Sequence, residues 1–98
     1  MNEPVRFRKK PVVIDAIQWT GENAQAVNKF AHGSGPGFDV LDAEDRANCD
    51  DPEATAQVFD VLHSTWVLVY TGDWIIRGIK GEFYPCRDAV FLETYELA

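Results

Sequence analysis

The chain is poor in several residue types that would have pointed to a chemistry. It has two cysteines and two histidines in 98 residues, one methionine, and no apolar run near the length of about 18 residues that a membrane span needs. Cys49 and Cys86 are too few and too far apart for a disulfide framework, so reduced thiols are expected. His32 and His63 have no cysteine or carboxylate at recognised zinc spacing. His32 instead suits a helix C-terminus, and His63 a turn. Bases are also scarce, nine against sixteen acids for a net charge of −7. Duplex DNA binding without sequence preference needs clustered Lys and Arg, and is not expected. The start carries bases but no apolar h-region after them, so neither export nor a membrane partner is expected.

The composition is 46% hydrophobic, 12% aromatic and 26% charged, that of an ordinary folded domain. At this length one core is the limit, so residues 1–98 read as a single domain. Its excess charge is local. Between Asp39 and Asp60 eight acids face one base, Arg46, and the rest of the chain is neutral. Residues 42–55 read as an acidic surface insertion. An EF-hand register begun at Asp42 fails, because Arg46 and Ala47 fall where an oxygen ligand and a glycine belong. No metal is expected.

Pro11 to Trp19 has the β-branched content of a buried strand. Ala24, Val27, Phe30 and Ala31 then fall at helical spacing, predicting an amphipathic helix over Glu22 to His32 that stops at Gly33-Ser34-Gly35-Pro36-Gly37. Phe38 to Leu41 reads as a short strand. Gln57 to Leu62, Trp66 to Tyr70, Trp74 to Arg77 and Glu82 to Tyr84 read as an antiparallel meander with reversals at His63-Ser64-Thr65, Thr71-Gly72-Asp73 and Gly78 to Gly81. Pro85 should end the last run, Asp88 should cap a single turn through Phe91, and Glu93 to Leu97 should return as an edge strand. The expected fold class is α+β: a small, strongly twisted antiparallel sheet or partial barrel of five to six strands with one helix packed across it.

The densest segment is Thr71 to Cys86, with three glycines, three aromatics, two bases and two acids. Its plain structural reading is a hairpin with aromatics in the core and Arg77 paired to Glu82 across the strands. The functional reading gives Trp74 and Tyr84 as flat faces and Arg77, Lys80 and Arg87 as cationic donors, with Glu82 beside them, around a planar anion or nucleotide. Gly78 to Gly81 lacks the phosphate-loop pattern, and no cofactor is expected. Cys86 with His63 is a weak nucleophilic pair, since no activating motif surrounds the thiol.

Gly72-Asp73-Trp74-Ile75-Ile76-Arg77-Gly78, Lys80-Gly81-Glu82-Phe83-Tyr84-Pro85-Cys86, Phe91 and Thr94-Tyr95-Glu96, with Lys10-Pro11-Val12 and Ile17-Gln18-Trp19 near the start, resemble a group of small proteins encoded widely in bacteriophages and prophages. The resemblance covers roughly residues 9–19 and 62–96, and brings no agreed activity or catalytic residues with it. It implies a viral or prophage product in the cytoplasm of a host bacterium. From it follows the expectation of a non-enzymatic binding protein, acting on a small anionic or nucleotide-type defence signal or on a host protein. A virion or assembly accessory protein and a small enzyme are the alternatives. A homodimer is the commonest oligomer for such a chain.

Overall fold

Hydrophobic residues spaced two apart on short strands need a second layer to cover them, and in the computed structural model two three-stranded sheets supply it for each other. The structure describes residues 3–31 and 37–98. Among them the order is β1 (Asp15–Gln18), α1 (Ala24–Phe30), β2 (Phe38–Val40), α2 (Ala43–Ala47), β3 (Ala56–Asp60), β4 (Thr65–Val69), β5 (Trp74–Arg77), β6 (Phe83–Cys86) and α3 (Asp88–Thr94). One sheet runs β1-β5-β6 and the other β2-β3-β4, all pairs antiparallel. The α+β class and six strands match expectation. The single sheet or partial barrel does not, and three helices among the described residues replace the one expected.

The division arises at Thr71-Gly72-Asp73, which carries the chain from one sheet to the other instead of closing a β4–β5 hairpin. Trp19 holds it there. The Gly72 N–H donates to the Trp19 carbonyl at 2.7 Å, and the Trp19 N–H to the Asp73 carbonyl at 2.8 Å. Gly72 has φ +100°, a conformation that costs glycine little. The core then forms from Trp19, Val27, Ala31, Phe38, Ala56, Val58, Val69, Ile75 and Phe83. The helical stripe Ala24, Val27, Phe30 and Ala31 faces it as predicted. α1 begins later than expected because the Asn23 side chain closes the preceding turn, accepting from the Thr20 N–H at 2.9 Å and donating to the Gln18 carbonyl at 2.8 Å. His32 and the stop sequence through Pro36 lie outside the described residues.

Three further expectations are corrected. Pro11 to Ile14 does not join β1: opposite Asp15 stands Arg77, the last residue of β5, so the four residues before Asp15 have no strand to pair with. Residues 3–14 form an arm without regular structure. Glu93 to Leu97 is not a strand: Glu93 and Thr94 end α3, in which Thr94 Oγ1 donates to the Val90 carbonyl at 2.7 Å, and Tyr95 to Leu97 has no regular structure. Pro85 lies within β6 opposite Ile75, tolerated because β6 is the terminal strand of its sheet.

The acidic insertion is also more ordered than a solvated loop. Asp42 and Asp45 form a reciprocal capping box that starts α2, Asp45 N–H donating to Asp42 Oδ1 at 2.8 Å. Ala54 is fully buried.

Candidate functional site

Side chains alternate along β5, so Trp74 and Ile76 face away from the shared core while Ile75 and Arg77 face toward it. Register puts Cys86 beside Trp74, Tyr84 beside Ile76, and Gln18 and Ala16 of β1 on the same outer face. α3 lies across that face. Phe91 stacks on Trp74 at 4.2 Å between ring centroids and 6° between planes, and Tyr95, one helical turn on, lies 5.0 Å from Phe91. Asp88 does not cap the helix. Its Oδ1 accepts from Trp74 Nε1 at 2.8 Å and from Gln18 Nε2 at 3.3 Å, which ties α3 to the sheet.

Between this face, the arm and the chain after α3 lies an open hollow of about 1130 Å³. Trp74, Tyr84, Phe91 and Tyr95 form its aromatic wall, and Lys9 and Lys10 of the arm stand along it. Lys9 Nζ lies 5.4 Å from the Tyr95 ring centroid. Burial, with neighbouring Tyr95 as the next cause, pushes the Tyr84 hydroxyl pKa up, so at neutral pH it is a hydrogen-bond donor.

Of the six residues singled out in the sequence, Trp74, Glu82 and Tyr84 line this hollow. The three bases do not join them. Arg77 is on the opposite face of the sheet, its guanidinium 4.7 Å from the Phe30 centroid and 5.6 Å from Phe83. It bonds Asp15 at 3.3 Å and the Phe30 carbonyl at 3.3 Å. Arg87 lies 4.1 Å from the Tyr70 ring centroid. Lys80 sits in the β5–β6 turn and does not line the hollow. Nor does Arg77 pair with Glu82. The Glu82 carboxylate turns back over Gly78 to accept the Lys80 N–H at 3.1 Å, a space that a Cβ on Gly78 would take.

Lys9, Lys10, Phe91 and Tyr95 are site residues that local sequence pattern did not single out. The i, i+4 spacing of Phe91 and Tyr95 was the available signal for the aromatic wall, and the run Arg6-Phe7-Arg8-Lys9-Lys10 for the positive charge.

The polar groups at the other end of β6 are occupied. The Tyr70 hydroxyl donates to Asp51 Oδ2 at 2.5 Å, which lowers the Asp51 pKa and raises that of Tyr70. Burial, then the charge of Asp73, pushes the Cys86 thiol up, which keeps it protonated and a poor nucleophile. His63, which would be the base of a nucleophilic pair with that thiol, is instead held in the β3–β4 turn, Nδ1 2.7 Å from Asp60 Oδ2. Among the described residues no group of three or more His, Cys, Asp or Glu is placed to hold a metal ion, and no helix is long and apolar enough to cross a membrane. No family model, curated protein or solved structure matches the chain.

Proposed function

We propose that this chain is a non-enzymatic binding protein of bacteriophage or prophage origin, acting in the host bacterial cytoplasm, that holds a planar anionic ligand of nucleotide type. The observation that carries the reading is the hollow in which Trp74, Tyr84, Phe91 and Tyr95 meet Lys9 and Lys10. Aromatic walls suit stacking on any flat ring, and ammonium groups beside them suit a phosphate. Asp15, Glu82 and Glu96 also line the hollow; Asp15 is paired with Arg77, whereas Glu82, which accepts the Lys80 N–H, and Glu96 keep their charge, so attraction of an anion rests on Lys9 and Lys10. The cationic role that Arg77, Lys80 and Arg87 were expected to play thus passes to the arm.

Isothermal titration against a panel of linear and cyclic nucleotides tests the reading. Trp74→Ala should weaken binding by roughly 5- to 150-fold, the loss of about 1–3 kcal/mol of base stacking. Lys9→Ala with Lys10→Ala should weaken it at low salt and flatten its salt dependence. Arg77→Ala should lower stability and leave affinity nearly unchanged, since its partners are Asp15 and the Phe30 and Phe83 rings. Absence of heat with every nucleotide would remove this ligand class.

A second reading, inhibition of a host protein, is favoured by the exposed apolar side chains of Val13, Ile79, Leu92 and Leu97 along the same hollow. A host polypeptide captured through Leu92 and Ile79, lost with Leu92→Glu, would support it.

A further inference from the structure

Two features remain outside the hollow. The first is the tip of the arm, residues 3–8. Phe7 is 88% exposed, with Arg6 and Arg8 on either side of it. Among the described residues no hydrogen bond or ion pair engages the side chains of Arg6, Arg8 or Lys10. The second is the outer face of the β2-β3-β4 sheet. Register places Asp39, Gln57, Phe59, Trp66 and Leu68 there, on the side opposite the core residues Val58 and Val69. Phe59 and Trp66 meet edge to face at 5.4 Å, and Trp66 is 39% exposed.

The charges are opposite. The arm from Glu3 to Ile14 holds four bases and one acid, net +3. The segment from Asp39 to Asp60, which supplies β2, α2 and β3, holds eight acids and one base, net −7. The arm starts on the side of its own molecule away from this face. Residues 9–16 lie along the outer side of the β1-β5-β6 sheet, with the core between them and the acidic face.

We propose that the occupant is a second copy of this chain: two molecules exchange arms, each laying Phe7 against Phe59, Trp66 and Leu68 of the other, with Arg6 and Arg8 toward Asp39 and the acidic segment. The exchange is reciprocal, as a two-fold dimer requires. Its contacts are made by residues 6–8 and not by Lys9 or Lys10, and so do not depend on the ligand reading above.

Sedimentation velocity of the full chain tests it. The wild type should sediment as a dimer that dissociates when salt is raised from about 50 mM to 500 mM, as screened ion pairs do. Two variants then separate this interface from any other. Arg6→Glu with Arg8→Glu reverses the arm, and Asp39→Lys with Gln57→Lys turns the outer sheet face from one acid to two bases; all four positions are at the surface or on the outer face, and circular dichroism verifies folding. Each variant alone should be monomeric, and an equimolar mixture should recover the dimer, because both exchanged contacts are again attractive. Phe7→Ala should weaken the dimer at least tenfold. A monomeric wild type, a dimer indifferent to both reversals, or a mixture that stays monomeric overturns the proposal. Binding of the arm to nucleic acid or anionic vesicles without self-association does so as well.

Discussion

Trp19→Ala should lower the free energy of unfolding by about 3–5 kcal/mol, the range for removing a large buried aromatic. For a domain whose total stability is of order 5–15 kcal/mol, that is enough to leave a marginal fold. Trp19 is 2% exposed and lies at the junction of both sheets. Its ring meets Phe38 of β2 edge to face at 5.1 Å, its Nε1 donates to Thr55 Oγ1 at 2.9 Å, and its backbone holds the Gly72 turn. Truncation therefore removes packing against β2 and strands the Thr55 hydroxyl, which retains only Thr71 Oγ1 at 3.0 Å. Trp19→Phe separates the two contributions, keeping a ring while losing the indole donor, and should cost less. Urea denaturation of both variants measures this. A loss under about 1 kcal/mol for Trp19→Ala would mean that the two sheets do not depend on this side chain.

That junction also explains what the sequence could and could not reveal. β5 was legible to the residue because Trp74-Ile75-Ile76-Arg77 lies between two turn-forming segments, and α1 was legible through its apolar spacing. The split into two sheets was not. Thr71-Gly72-Asp73 has the composition of a hairpin turn, and only its pairing with Trp19, more than fifty residues earlier, makes it a connection between layers. Likewise Val12-Val13-Ile14 has strand propensity but no neighbour, since the ladder ends where β5 ends. The scattering of the bases was legible in principle. Trp74 and Arg77 are an odd number of positions apart on one strand and must face opposite sides of the sheet, whereas Tyr84 shares the Trp74 face through its register with Ile76. Lys9 and Lys10 reach the site only because the arm fails to pair, an outcome no local pattern encodes.

Asp73 carries the second large effect, and the two replacements that remove its charge should diverge. It is 4% exposed, and its Oδ2 accepts the Tyr70 N–H at 3.0 Å while its own N–H donates to the Tyr70 carbonyl at 2.9 Å. Asp73→Ala leaves a buried N–H without a partner and should cost about 1–3 kcal/mol at neutral pH. Asp73→Asn keeps an acceptor oxygen and removes a charge whose burial holds the carboxyl pKa above its ordinary value, against the opposing pull of the Tyr70 N–H and Arg87. Its stability at neutral pH should equal or exceed that of the wild type. The pH dependence follows from the same shift. A carboxyl with a raised folded pKa contributes stability that is complete below its unfolded value and lost as pH rises through the folded one. Asp51 and Asp60, lowered by Tyr70 and His63, contribute in the opposite sense, losing their stabilisation as pH falls through their folded values. Acidification of the wild type therefore sets Asp73 against Asp51 and Asp60. In Asp73→Asn that counterweight is gone, so stability should fall more steeply with acid and the curves of variant and wild type should converge below the ordinary carboxylate range. Urea titrations at neutral pH and at pH values down through that range measure both effects, and equal losses for Asn and Ala at neutral pH would show that the negative charge itself, and not the hydrogen bond, holds the turn.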